Sequence, residues 1–192
     1  VNFTNVSFNP HGHGTHTECL GHITKEAESI HCIQLPLLIP CLLHTVSPAN
    51  IQGDSVVTIE HLPGGVFTEG KLPKAMILRT LPNGESKKSM DWANTNPTYL
   101  HSDFTDKLVE RGVEHLLVDL PSVDKEIDGG ALLSHRAFFR VPEAPRTEVT
   151  ITEFVFIPNE VQDGLYALNL QLAPFDLDAS PSRPVIYPLS VI

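Results

Sequence analysis

The sequence predicts an α/β domain built on a mixed sheet, and three observations carry that prediction. Short aliphatic and β-branched runs recur along the 192 residues, several of them closed by Pro, Gly or Asn turn signals. A helical stretch that starts at Ser102 or Asp103 and ends at Arg111 is followed at once by Gly112 and the apolar run Val113–Leu120, the order expected of a helix feeding a buried strand. With 41% hydrophobic residues the chain can bury a sizeable core, and its length favours one domain over 1–192.

Taken in order, Val1–Phe8 has the β-branched and aromatic content of a strand, and 23–29 is polar enough for a turn or short helix. Ile33–Thr45 reads as a buried strand punctuated by Pro36 and Pro40. Strands are expected at Asp54–Glu60, stopped by Pro63-Gly64-Gly65, and at Lys74–Thr80, stopped by Pro82-Asn83-Gly84. Glu85–Pro97 reads as a polar surface loop whose one bulky anchor, Trp92, either borders a ligand pocket or packs. The helix of 102–111 takes its cap from Ser102 or Asp103 and its stop from Gly112. Beyond Gly129-Gly130 a short helix, Ala131–Arg140, carries His135 among Leu132, Phe138 and Phe139, and Arg136 on it is expected in solvent. Val149–Ile157 and Gly164–Leu172 alternate as strands.

Composition removes several function classes. Thirteen Lys and Arg against 23 Asp and Glu leave a net charge of −10, which argues against nucleic acid and leaves no basic membrane-surface patch. The most apolar run, Leu35–Leu43, is too short for a membrane span and holds two prolines, and no signal-peptide pattern opens the chain. Cys19, Cys32 and Cys41 form neither a C-x-x-C pair nor an even-numbered framework, so a reducing, cytoplasmic compartment is expected. Phosphate-binding Gly-rich loops, Gly-x-Ser-x-Gly elbows and internal repeats are absent from the sequence.

The chemistry concentrates in Asn9–His22, which holds His11, His13, His16 and His22, four of the ten histidines. In extended chain His16 and Glu18 project to the same side, a nitrogen and an oxygen donor suited to Zn²⁺ or Mn²⁺; a solvated His-rich loop is the alternative. Glu153 stands out independently, because Val149, Ile151, Val155 and Ile157 share its face of an extended strand. A carboxylate in an apolar row costs several kcal/mol unless it is paired, protonated or bound to metal.

Gly14-Thr15-His16-Thr17-Glu18-Cys19-Leu20-Gly21-His22 resembles the signature of the cyclase-type metal hydrolases, the family of bacterial kynurenine formamidase and isatin hydrolase, written H-x-G-T-H-x-D-x-P-x-H. Gly14, Thr15, His16 and His22 match; Glu18 replaces Asp, Leu20 replaces Pro, and Gly12 stands where the first His belongs. Asp119-Leu-Pro-Ser-Val-Asp124 is a second match, and Asp176, Ser180, Pro181 and Arg183 fit the family's terminal D-x-x-x-S-P-x-R, with Arg183 available to tie the tail down by an ion pair. The resemblance covers nearly the whole chain, although family members usually carry several dozen residues before this point.

The resemblance implies a swivelling β/β/α fold and a metal-dependent hydrolase of an amide, either an arylformamide such as N-formylkynurenine or a cyclic amide such as isatin. It implies one or two Zn²⁺ or Mn²⁺ ions on His16, Glu18, His135 and Glu153, with His22 as proton shuttle and a homodimer or homotetramer as the assembly. Asp119 and Asp124 are candidates for orienting ligands from behind, with turn-capping the preferred reading of Asp124. A bulge at Gly12 or Gly14 would let His11 or His13 take the first ligand's place, with His11 favoured because Gly12 then acts as a flexible joint; the alternative is that both are solvent-exposed or only support the ligands from behind. A family-shaped binding protein without catalysis is the competing class.

Overall fold

In the computed structural model, which describes residues 2–25, 28–64 and 70–189, the long sheet is laid down by strands distributed over the whole chain. The expectations for Val1 and Gly65, and part of the one for 23–29, fall outside the described residues. The strands are β1 (His16–Glu18), β2 (Ile39–Val46), β3 (Ala49–Ile51), β4 (Asp54–Val57), β5 (Ala75–Thr80), β6 (Tyr99–Leu100), β7 (His115–Val118), β8 (Thr150–Glu153), β9 (Gly164–Asn169), β10 (Ala179–Pro181) and β11 (Val185–Pro188). Among the described residues two α-helices, α1 (Ser102–Glu110) and α2 (Leu133–Phe139), pack against each other.

Eight strands form one mixed sheet in the order β10-β1-β8-β7-β5-β2-β9-β11, and β3-β4-β6 form a small second sheet. The central run β8-β7-β5-β2 is parallel, and antiparallel strands extend it on both sides. Alternation along β2 explains how both faces are filled. Leu42 packs with Met76, Leu116 and Ile151 against Phe104, Leu108 and Phe138 of the helices. Cys41 and Leu43 pack with Ile77, Leu117 and Leu168 on the opposite face. A strand covered on both faces reads as a continuous apolar run, which is why β5 and β7 are buried throughout.

Several elements differ from the sequence expectation. Residues 2–9 form no strand: among the described residues no strand pairs with them, and Phe3 and Val6 are exposed. The strand expected over Ile33–Thr45 begins only at Ile39. Pro40, without an N–H, is tolerated because β5 pairs with β2 only from Cys41 onward. The strand from Asp54 stops at Val57, where His61 Nδ1 accepts the Thr58 N–H at 3.0 Å and turns Ile59–His61 into a 3-10 helix. The cap of α1 is His101, whose ring accepts from the Asp103 N–H, rather than Ser102 or Asp103. Gly112 follows that helix with φ +93°, as a stop requires. Residues 85–88 of the expected loop form a 3-10 turn, and Trp92, half-buried, borders a cavity of about 470 Å³.

The strand expected over Val149–Ile157 changes character at Phe154, whose φ of +56° interrupts the alternation. Val149 and Ile151 join the helix-side core, whereas Val155 and Ile157 pack on the other face. Only the first part of the apolar row is therefore shared with Glu153. The strand from Gly164 ends at Asn169, and Leu172 adds an isolated bridge to Ser182. Arg183 is exposed and makes no ion pair among the described residues, so β10 and β11 hold the tail by backbone pairing instead.

Candidate metal centre

Strand β1 lies between β8 and β10, and its register sets the site. His16 is the antiparallel partner of Glu153, and Glu18 is the partner of Ile151 on one side and Ala179 on the other. His16 and Glu18 both turn toward α2, while Thr17 between them points the opposite way to Thr152 and Ser182, each at 2.8 Å. From α2, His135 places Nε2 2.7 Å from Glu18 Oε1 and 3.8 Å from Glu153 Oε1. His16 Nε2 lies 3.4 Å from Glu153 Oε2 and 4.0 Å from Glu18 Oε2.

The mouth of this cluster is made by His11, His22 and Asp178, which are partly exposed, whereas His16, Glu18, His135 and Glu153 are buried. His11 Nδ1 is 3.3 Å and His22 Nε2 3.8 Å from Glu18 Oε2. The two mouth rings stack with centroids 4.3 Å apart. Asp178 Oδ2 stands 2.8 Å from His11 Nε2 and 3.2 Å from His22 Nδ1.

Backbone and carboxylate partners fix the buried rings. His16 Nδ1 meets the Gly14 carbonyl at 3.0 Å, and His135 Nδ1 meets Asp124 Oδ2 at 2.6 Å. Asp124 also accepts the Ser134 and His135 N–H groups at the start of α2. That helix needs such help, because Leu132 before it has φ +50° and offers no side-chain cap.

Electrostatics tie the cluster together. Burial works against the charged form of His135, yet Glu18, Asp124 and Glu153 hold its pKa well above the usual imidazole range. Burial likewise opposes ionisation of Glu18, but His135, His11 and His22 hold its pKa far below the carboxylate range. His11 is raised to about 8, the loss of solvent being outweighed by Glu18 and Asp178. His16 is raised through Glu153, Gly14 and Glu18 against the same desolvation.

The donor set fits a divalent cation on an observation of its own. His16 Nε2 and Glu18 Oε2 are buried without a hydrogen-bond partner. An unpartnered buried polar atom costs about 1–3 kcal/mol, more when charged. Glu18 Oε2 is instead ringed by nitrogens of His11, His16 and His22 at 3.3 to 4.0 Å. Among the described residues three overlapping groups have ligand atoms within 4.8 Å of one another: His11, His16 and Glu18; His11, His22 and Asp178; Glu18, His22 and His135. Imidazole nitrogens and carboxylate oxygens grouped in this way are a donor set that suits a divalent metal ion.

A family model described as "Putative cyclase" matches residues 2–125. The chain belongs to this cyclase family. Among curated relatives, the kynurenine formamidase of Bacillus thuringiensis (strain Al Hakam) is 29% identical over 178 residues, spanning 92% of this chain and 76% of the relative. That of Bacillus cytotoxicus is 28% identical over 191 residues, spanning 98% and 81%. A solved structure titled as a potential metal-dependent hydrolase with cyclase activity superposes with a TM-score of 0.71 at 16% identity, over 95% of this chain and 81% of the other. Isatin hydrolase A from Labrenzia aggregata, bound to benzyl benzoate, gives 0.65 at 15% identity, over 94% and 74%. These two likenesses establish the fold.

Within the cyclase-family fold, His11, His16, Glu18, His22, His135 and Glu153 come together, the six side chains that sequence reasoning selected. His13 does not: it is exposed and its Nδ1 accepts the Asn9 N–H. The preference for Asp124 as a simple turn cap is corrected, since it both caps α2 and holds His135. Asp119 instead accepts from Thr80 and Lys87. Arg136 is exposed, as expected. Sequence reasoning missed Asp178. The terminal segment offers two carboxylates two residues apart, and no local pattern says that Asp176 pairs with exposed His31 while Asp178 reaches the site.

Among the described residues, no helix is long and apolar enough to cross a membrane, and Cys19, Cys32 and Cys41 are free thiols. Burial pushes Cys19 up to about 11 and Cys41 to about 12, so neither is a ready nucleophile.

Proposed function

We propose that this chain is a metal-dependent hydrolase of an amide C–N bond, with an arylformamide such as N-formylkynurenine as substrate class and one or two Zn²⁺ or Mn²⁺ ions as cofactor. The observation that carries the proposal is Glu18 Oε2, a buried carboxylate oxygen with imidazole nitrogens around it and no hydrogen bond. His11, His16, Glu18, His135 and Glu153 would hold the metal. Two ions have support in the carboxylates, since Glu18 and Glu153 each address His135 with one oxygen and His16 with the other.

A bound divalent ion supplies Lewis acidity, polarising the amide carbonyl and acidifying a water near neutral pH. The remaining work falls to side chains. His22 stands at the mouth with Nε2 inward, where an imidazole can pass a proton to the leaving nitrogen. Asp124 holds His135 Nδ1 at 2.6 Å, which orients that ring at the buried end of the site. Phe154 lies against His16 with ring centroids 6.0 Å apart and lines the cavity formed with Met90, Trp92 and Phe156, an aromatic wall suited to an aryl group.

The formamide reading rests on the curated relatives, which are kynurenine formamidases at 27–29% identity. Ring-opening of an isatin-like cyclic amide is the second reading, favoured by the isatin hydrolase structures, whose identity is lower. A homodimer or homotetramer belongs to the same proposal. Exposed Val185, Tyr187 and Leu189 at the outer edge of the sheet support it, and sedimentation of the purified protein tests it.

Elemental analysis of the native protein, followed by hydrolysis assays on formamides, lactams and isatins with and without chelator, tests the function. Near-stoichiometric metal and chelator-sensitive turnover are expected. Metal-free protein without turnover would sink the proposal and favour a non-catalytic binding protein, the reading that Gly12 at the first ligand position suggests.

A further inference from the structure

We infer that Asp178 sets the orientation and tautomer of both mouth histidines, so that His11 addresses the metal centre through Nδ1 and His22 through Nε2. The inference rests on the metal-site reading above and adds to it a positioning residue. Asp178 is held by the sheet: it immediately precedes β10, its carbonyl accepts the Cys19 N–H at 3.0 Å, and Ala179 pairs with Glu18. Its side chain is thereby delivered to the site that β1 builds.

One oxygen serves two rings. Asp178 Oδ2 is 2.8 Å from His11 Nε2 and 3.2 Å from His22 Nδ1, and stacking at 4.3 Å brings those ring edges side by side. An ionised carboxylate only accepts hydrogen bonds, so each of these two nitrogens carries the hydrogen. In a neutral imidazole the other nitrogen then holds the lone pair. Those other nitrogens, His11 Nδ1 and His22 Nε2, are the ones facing Glu18 Oε2 at 3.3 and 3.8 Å.

The buried histidines use the same device. The outer nitrogen of His135 is held by Asp124 at 2.6 Å, that of His16 by the Gly14 carbonyl at 3.0 Å, and the inner nitrogen of each points at carboxylates. His11 differs in presenting Nδ1 inward. It lies outside β1, in the turn before Gly12, and enters from the mouth, so its far nitrogen needs a partner from another segment. Asp178 is that partner.

The test uses ¹⁵N-histidine NMR and zinc titration on wild type, Asp178→Ala and Asp178→Asn. Spectra are taken without substrate, on metal-free protein at alkaline pH and on the zinc-loaded form, so failure of amide hydrolysis does not touch the result. His22 is diagnostic, because the Nδ1–H form is the minor one of a free imidazole side chain. Wild type should show His22 as Nδ1–H, and Asp178→Ala should lose that bias. Zinc affinity should fall about 10–100-fold in Asp178→Ala and less in Asp178→Asn, which keeps one accepting oxygen. An unchanged His22 tautomer or unchanged zinc affinity in Asp178→Ala overturns the inference. An altered coordination spectrum of the cobalt-loaded Asp178→Asn protein also overturns it, by making Asp178 a ligand.

Discussion

His16 and Glu153 face each other directly across the β1–β8 ladder, with Nε2 3.4 Å from Oε2. Directly opposed residues of an antiparallel pair have Cβ atoms about 4.5–5.5 Å apart, close enough for a shared ion and too rigid to drift. The centre is thus built on sheet registry, and His135 closes it from α2.

Replacing His16, His135 or Glu153 by Ala is expected to strip metal and lower thermal stability. A ligand that binds only the folded state stabilises it by about 2.7 kcal/mol at a hundredfold excess over Kd, and a variant without the site forfeits that gain. Metal content after dialysis and the rise in Tm on adding zinc provide the check. A variant that keeps full occupancy removes that residue from the ligand set.

His22→Ala should behave differently. Its ring is partly exposed at the mouth, whereas His16 and His135 are buried. Most of the metal should remain while kcat falls roughly 10²–10⁴-fold, the contribution typical of a proton-transferring group. Loss of metal would make His22 a ligand, and full activity would remove it from the mechanism.

His11 and His13 separate cleanly. His11 reaches Glu18 and Asp178, whereas among the described residues His13 accepts a hydrogen bond from the Asn9 N–H. His11→Ala should weaken zinc by more than the roughly 10–100-fold that loss of an outer partner costs, and His13→Ala should leave affinity unchanged. Equal titration curves for both variants and wild type would eliminate His11 as the replacement for the missing first histidine.

Remote from the centre, His115 supplies a pH dependence. It is buried against Thr150, and desolvation lowers its pKa to about 4; Lys74 and Arg146 add to that effect and Glu114 opposes it. Between about 4 and 6.5 the unfolded chain holds the proton and the folded one does not, so stability falls as pH drops through that window. The gap corresponds to on the order of 3 kcal/mol. Urea denaturation of wild type and His115→Gln at matched pH measures it: the stability difference between them should change across the window, and a constant difference would contradict the assignment.

Local periodicity made much of this legible. His16 and Glu18 two residues apart in extended chain had to share a face, and a carboxylate beside Ile151 had to find a partner. The helix before Gly112 and the buried strand after it were likewise written in neighbouring residues. Where the reading failed, the cause was a distant or conformational event. Residues 2–9 have strand-like composition but no strand to pair with among the described residues, and the left-handed Phe154 moves Val155 and Ile157 to the opposite face.

By itself the sequence determined that His16 and Glu18 share a face and that Glu153 sits in an apolar row, because alternation is a property of short segments, whereas His22 and His135 were marked only by the resemblance to the cyclase family. Only the tertiary structure decided that His11 rather than His13 joins them, that Asp124 holds His135, and that Asp178 holds His11 across 167 residues of chain. Hydrogen bonds are satisfied in space, and a carboxylate's partner depends on which strand the sheet sets beside it; here the β1–β10 pairing brings the tail to the motif.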